Sequence, residues 1–325
     1  MHSKVFFLKK ANHLFIATLS LLLFGCSAEQ DGSAPTRSVS PETPYDITML
    51  DGESAMKEVE QFLAIGPRPS GSSNSLPAAE YIRDQLKAAG FEKAYVDSFE
   101  DKAPTGGVTF HNVIAEIGNP NGPLILVGSH WDTKIGISDT FIGANDSGSS
   151  TGLLIDMAKI IAKNPPKNHA IMLAFFDGEE CAEHYGNHDG LHGSKKLAED
   201  LAKDQDRPVK GVMILDMIGD KDLTVTIPAN STRELVEMTL KAAHDAGARK
   251  NFRMTRMNIL DDHVPFLLKG MPVVNIIDFE FGSKPGLNDY WHTDEDTIDK
   301  LSPESLESVG RVGLGVINRL MAKDD

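Results

Sequence analysis

Three short apolar runs in this chain each stop at a residue that can bind a metal or move a proton. Leu124-Ile125-Leu126-Val127-Gly128-Ser129 is followed by His130 and, two residues on, by Asp132. Ile171-Met172-Leu173-Ala174-Phe175-Phe176 leads through Asp177 and Gly178 to the adjacent pair Glu179 and Glu180, and Val212-Met213-Ile214-Leu215 ends on Asp216. Runs of this length, without polar alternation, read as strands buried on both faces, as in the parallel part of an α/β sheet. In such a sheet the reactive side chains gather in the crevice beyond the carboxyl ends of the strands.

The rest of the chain after residue 49 alternates in the same way. Strands are expected at 94–99, 108–117, 123–129, 170–176, 210–216 and 272–277. Helices are expected at 55–65 and 78–89, the second ended by Gly90, and at 149–163, 191–204, 231–247 and 302–321. That order predicts one α/β domain over 49–325, a central, mostly parallel mixed sheet with helices on both faces. There is no internal repeat.

Two further positions belong with the strand ends. Asp146 lies in Gly143-Ala144-Asn145-Asp146, just before a helical pattern, and His292 lies in Asp289-Tyr290-Trp291-His292-Thr293. Carboxylate and imidazole donors arriving from separate elements suit zinc, which takes three or four of them and keeps a position open for substrate. Two adjacent carboxylates divide the labour at such a centre: one binds the ion and its neighbour carries protons.

Taken in order, Gly66-Pro67-Arg68-Pro69-Ser70-Gly71, His130-Trp131-Asp132, Gly143-Ala144-Asn145-Asp146, Phe176-Asp177-Gly178-Glu179-Glu180, Leu215-Asp216-Met217, Asp261-Asp262-His263 and Trp291-His292-Thr293 form a pattern. By these motifs the chain resembles the zinc-dependent exopeptidases of the bacterial leucyl aminopeptidase type and their relatives, the glutaminyl-peptide cyclotransferases. Asp261-Asp262-His263-Val264-Pro265-Phe266, Trp291 before His292, and Lys134 are closer to the cyclotransferase branch. The aminopeptidases usually carry serine where Asp261 stands.

The resemblance implies the zinc aminopeptidase fold and two candidate activities. As a cyclotransferase, the protein would convert N-terminal glutamine of peptides to pyroglutamate, with one zinc held by Asp146, Glu180 and His292. Glu179 would carry the proton, Asp216 and Asp261 would hold the proton-transfer network, and Trp291 would wall the substrate pocket. As an aminopeptidase, it would hold two zinc ions with Asp146 between them, His130 and Asp216 completing the second site. A third reading, a lipoprotein that binds peptide ends without catalysis, is disfavoured because Glu179 is intact.

Several other residues are expected to support the site. Asp132 should orient His130 from behind the metal. Asp262 reads as a structural hydrogen-bonding residue, His263 as packed, and Cys181 as a buried thiol. His184, His188 and His192 are spaced four apart, but Gly186, Asn187, Asp189 and Gly190 break any helix there, so the stretch is expected to be a substrate-facing loop. Asp294-Glu295-Asp296 is expected to be a helix cap and solvated turn.

The N-terminus reads as an export signal. Lys4, Lys9 and Lys10 precede an apolar stretch from Leu14 to Phe24 that is too short for a membrane span, and Leu23-Phe24-Gly25-Cys26 resembles a bacterial lipoprotein signal. Residues 1–25 would be removed, the lipid on Cys26 would be the only membrane attachment, and residues 26–48 would be a flexible tether rich in Ser, Pro and Thr. By the resemblance to such lipoproteins, Ser27 rather than an acid next to Cys26 implies the outer membrane of a Gram-negative cell, with the catalytic domain in the periplasm or at the surface. If Cys26 is acylated, Cys181 has no disulfide partner. The formal net charge of −15 leaves no basic face for nucleic acid. Peptide or protein N-termini are the expected partners.

Overall fold

A computed structural model of the chain describes residues 42–204 and 206–323. The expected export segment, Cys26 and most of the expected tether lie outside the described residues. Eight strands are described: β1 (Tyr95–Ala103), β2 (Gly106–Gly118), β3 (Leu124–His130), β4 (Ala170–Phe176), β5 (Val209–Asp216), β6 (Val225–Ile227), β7 (Phe252–Met254) and β8 (Val273–Ile277). Seven α-helices accompany them: α1 (Gly52–Leu63), α2 (Ser75–Ala89), α3 (Ser150–Ile161), α4 (His192–Lys203), α5 (Arg233–Asp245), α6 (His263–Leu268) and α7 (Pro303–Ala322).

Six strands form one mixed sheet in the order β1-β2-β4-β3-β5-β8. The pairings β1–β2 and β2–β4 are antiparallel, whereas β4–β3, β3–β5 and β5–β8 are parallel. From β3 the chain passes through α3 to β4 on one side, then crosses back beyond β3 to β5 on the other. The reversal opens a crevice at the carboxyl ends of β3, β4 and β5, the place where open α/β sheets bind ligands.

The apolar runs are continuous because both faces of the sheet are covered. Leu124, Leu126, Met172, Ala174, Phe176, Val212 and Ile214 pack with Leu197 and Ala198 of α4 and Phe266 of α6. Their neighbours Ile125, Val127, Ile171, Leu173, Phe175, Met213 and Leu215 turn to the other face, against α1, α2, α3, α5 and α7 through Phe62, Ile82, Leu154, Leu235 and Ile317. The period-two alternation is therefore between two cores rather than between core and water.

Local signals set the helix ends. Gly90 closes α2 in the left-handed region with φ of 116°, its N–H turned back to the Leu86 carbonyl, a conformation a Cβ would strain. Ser302 opens α7 by accepting from the Ser305 N–H at 3.2 Å, with Pro303 in the first turn.

One expectation needs correction, and two elements were not expected. The tether was expected to run to residue 48, but its last residues pack on the domain: Tyr45 is buried, its N–H donates to Asn318 Oδ1 at 2.7 Å, and Glu42 accepts from the Lys167 N–H at 2.9 Å. The two-stranded parallel sheet of β6 and β7 was not expected, because three-residue strands are too short to show a period. Helix α6 was not expected either, because Pro265 sits inside its six residues; it falls in the first turn, where its missing N–H is tolerated.

Candidate metal centre and active site

His130 is the last residue of β3 and pairs in register with Phe176, the last residue of β4. The Asp177–Glu180 turn therefore leaves the sheet beside it. Asp132 joins the two: its carboxylate accepts from the N–H groups of Glu179 at 3.1 Å and Glu180 at 3.2 Å, and it lies 3.5 Å from His130 Nδ1. That one buried carboxylate therefore fixes the glutamate turn by hydrogen bonds and lies beside the imidazole it was expected to orient. Behind it, Asp177 accepts from the Ser70 hydroxyl at 2.6 Å, so the Gly66–Gly71 motif braces this turn.

Asp146 stands in the turn before α3. Asp296 holds that turn, accepting from the Asn145 N–H at 2.7 Å and the Asp146 N–H at 3.1 Å. The expectation of a solvated turn at 294–296 is therefore corrected for Asp296, which is 1% exposed and supports a candidate ligand from behind. Arg68 is wholly buried and ties the two segments together. Its guanidinium donates to the carbonyls of Trp131 and Ile142, each at 2.7 Å, and of Gly143 at 3.4 Å.

The expected donors meet as two groups that share Asp146. His130 Nε2 lies 3.0 Å from Asp146 Oδ1 and 3.4 Å from Asp216 Oδ1. His292 Nε2 lies 3.3 Å from Asp146 Oδ2 and 2.9 Å from Glu180 Oε1. In each trio one donor atom from every residue lies within 4.8 Å of the others, a spacing that can hold a metal ion. Both His130 nitrogens, Glu180 Oε2 and Asp216 Oδ1 are buried and have charged neighbours at ion-pair distance, but none is aligned in a hydrogen bond. Buried polar atoms left unpaired are costly, and a nitrogen-and-oxygen donor set of this kind fits zinc. Lys134 places its ammonium 3.6 Å from Glu180 and 3.2 Å from Cys181 Sγ, so the thiol is a buried neighbour of the site and outside both trios.

Glu179 belongs to neither trio. Burial, opposed by His130 and reinforced by Glu180 and Asp261, pushes its carboxyl well above the usual range. The Tyr185 hydroxyl donates to it, 3.0 Å from Oε1 and 3.2 Å from Oε2. Asp261 accepts from Asn275 Nδ2 at 2.5 Å and is pushed up to about 7 by burial and then by Asp216.

Glu179, Asp216 and Asp261 border a cavity of about 270 Å³ that also reaches Asp146, Glu180 and His292. Its apolar wall is Met217, Leu260, Ile277, Phe279 and Trp291. Trp291 is fixed between Phe279, with ring centroids 5.2 Å apart, and His292, stacked at 4.0 Å. A small pocket with acids on one side and rings on the other suits a short polar group on a peptide end.

The other expectations sort plainly. His263 is buried, and burial pushes its imidazole down to about 4. The stretch with three histidines is a loop: His184 and His188 are exposed, while His192 opens α4, bonded to Asp101 at 2.8 Å and stacked on Phe110. It is Tyr185 that reaches the cavity. Nothing in the sequence pattern singled out Tyr185 or Asp296.

The family model for peptidase family M28 matches residues 112–317, which include every candidate ligand and the whole cavity wall. The chain belongs to peptidase family M28. Among curated relatives, a glutaminyl-peptide cyclotransferase of Drosophila melanogaster is 30% identical over 277 residues, covering 76% of this chain and 76% of the relative. One of Boiga irregularis with the same description is 26% identical over 287 residues, covering 75% of each. Among solved structures, an Acidobacteriales bacterium glutaminyl cyclase is 33% identical with a TM-score of 0.78, covering 89% of this chain and 98% of that one. A leucine aminopeptidase precursor from Bacteroides thetaiotaomicron, 24% identical with a TM-score of 0.74 over 84% of this chain and 99% of its own, shares the fold.

Proposed function

We propose that this protein is a glutaminyl-peptide cyclotransferase, which closes the N-terminal glutamine of a peptide to pyroglutamate and releases ammonia. The observation that carries the reading is the cavity: three carboxyl groups face an apolar wall beside the Asp146, Glu180 and His292 trio. The relatives at 26–30% identity named above carry the same description.

Asp146, Glu180 and His292 would hold one zinc ion, whose positive charge polarises the side-chain amide carbonyl of the substrate. Glu179 takes a proton from the α-amine as that nitrogen bonds to the side-chain carbonyl carbon. It returns a proton to the amide nitrogen as the old C–N bond breaks, so ammonia leaves and Glu179 ends in its starting state. Asp216 and Asp261, which border the same cavity, would hold the proton-transfer network beside Glu179. Trp291 and Phe279 exclude water from the reacting centre, which favours the substrate's own amine as nucleophile.

A second reading, an aminopeptidase with two zinc ions, draws on the other trio of His130, Asp146 and Asp216. Purified protein incubated with a Gln-initiated and a Leu-initiated peptide separates the two by product mass: ammonia loss from the first, or residue removal from the second. His130→Ala should keep about one zinc per chain and measurable cyclisation, whereas Asp261→Ser should keep zinc and lose most cyclisation. Loss of Leu-peptide cleavage and of one metal in His130→Ala, with Asp261→Ser unaffected, would establish the aminopeptidase instead.

We also propose that the protein is exported and anchored through lipid on Cys26, as the pattern of residues 1–26 suggests. No helix among the described residues is long and apolar enough to cross a membrane. Cys26→Ser is expected to move the protein from the membrane fraction to the soluble one with its specific activity intact. Unchanged fractionation would refute the anchor.

A further inference from the structure

The segment between Cys181 and Gly190 has no helix, yet its backbone is tied from several directions. The Asp189 carboxylate accepts from the N–H groups of Ala182, Glu183 and His184 at 2.5, 2.8 and 2.8 Å. Gly186 donates its N–H to the Asp189 carbonyl at 2.8 Å, and Leu191 donates its N–H to the Glu179 carbonyl at 3.0 Å. From α4, the Lys195 ammonium reaches back to the carbonyls of Gly186 at 2.6 Å and Gly190 at 2.7 Å.

These ties converge on one side chain. Gly190 has φ of +77°, and a Cβ there would stand 2.5 Å from Cδ1 of the Tyr185 ring and 2.9 Å from the Glu179 carbonyl. Glycine thus leaves the space in which the ring lies. Glu183, His184, Gly186, Asn187 and His188 are exposed, whereas Tyr185 lines the cavity and spans both Glu179 oxygens with its hydroxyl.

We infer that Tyr185 is a positioning residue for Glu179, and that the loop from Cys181 to Gly190 is built to hold it there. A glutamate side chain turns about three bonds, and each rotamer points its carboxylate differently. The proton carrier has to face the α-amine and then the leaving nitrogen without changing rotamer. A hydroxyl bonded across both oxygens fixes the carboxylate plane while leaving each oxygen a free lone pair for the substrate. The bond acts on the turnover step, because Glu179 works there, whereas Asp146, Glu180 and His292 would hold the ion that polarises the substrate carbonyl. The inference rests on Glu179 as the proton carrier, a role common to both readings of the site.

The test uses zinc-loaded protein with a Gln-initiated peptide as substrate. Tyr185→Phe keeps the ring on Gly190 and removes only the hydroxyl. It is expected to lower kcat by about tenfold, with KM within about twofold and zinc per chain unchanged. Lys195→Met, which loosens the loop without touching the cavity, is expected to lower kcat about threefold. Combined with Tyr185→Phe it should add nothing further, since both act through one bond. A Tyr185→Phe kcat within twofold of wild type overturns the inference, as does a raised KM at constant kcat, which would make Tyr185 a wall and no more. If wild-type protein forms no pyroglutamate but trims the Leu-initiated peptide, the cyclotransferase reading fails while the same kcat and KM split is read on hydrolysis. Absence of both activities overturns the two together.

Discussion

Glu179→Gln is expected to lower kcat by about 10²–10⁴-fold while the protein keeps its zinc, the range that removal of a general acid–base group produces. The amide matches the carboxylate in shape and can keep the contact with the Tyr185 hydroxyl, seen at 3.0 Å. What it lacks is the capacity to take a proton from the amine. Glu180→Gln, one residue away, should behave differently. Glu180 Oε1 is 2.9 Å from His292 Nε2 within the trio, and its other oxygen is buried without a hydrogen-bond partner. Its amide is a poorer donor to a cation, so zinc occupancy and rate should fall together. Metal analysis and steady-state kinetics on the two variants decide the matter. Zinc lost from Glu179→Gln and retained by Glu180→Gln would reverse the roles.

The largest expected stability effect lies outside the ligand set. Arg68→Met should cost about 3–5 kcal/mol, the usual consequence of removing one partner from a buried charged network. The guanidinium is buried, bonded to the carbonyls of Trp131, Ile142 and Gly143, and its charge is balanced by Asp132, Asp296 and Asp146. Without it those carbonyls lose their donors, and three buried acids lose the cation among them. Arg68→Lys should recover only part of the loss, because an ammonium cannot reproduce the planar fork that reaches two segments at once. Urea unfolding of the three proteins measures this directly. A loss below about 1 kcal/mol for Arg68→Met would mean that the loops hold themselves.

The elements that bury both faces were the most legible in the sequence. Strand β4 is found at Ala170–Phe176, where it was expected, because an unbroken apolar run bounded by polar residues has one reading in this fold class. Helices α3, α4, α5 and α7 likewise fall within two residues of their expected ends. His130, Glu180 and Asp216 were legible because strand ends announce them, whereas Asp146 and His292 lie in loops and stood out through their motifs. What the sequence hid are the contacts made between distant segments. Asp296 looked like one of three acids in a surface turn, and only the folded chain brings it to the N–H groups of Asn145 and Asp146. Tyr185 sits among three histidines that draw more notice, and its significance depends on a loop path set by Asp189 and Lys195. The packing of Glu42 and Tyr45 on the domain has the same origin, since their partners lie at Lys167 and Asn318.

The sharing of Asp146 between the trios has a consequence for how the protein matures. The trio of Asp146, Glu180 and His292 draws on a turn before α3, the end of β4, and a loop that follows the last strand of the sheet. Contacts between segments so far apart in the chain form late, because long loops must close before they are rewarded. A partly folded chain therefore presents scattered donors, and an ion that needs all three has affinity for the finished structure alone. Were zinc held by this trio, its uptake would act as a seal set after folding, drawing the equilibrium by mass action toward the one arrangement in which β3, β4 and β8 have all found their places.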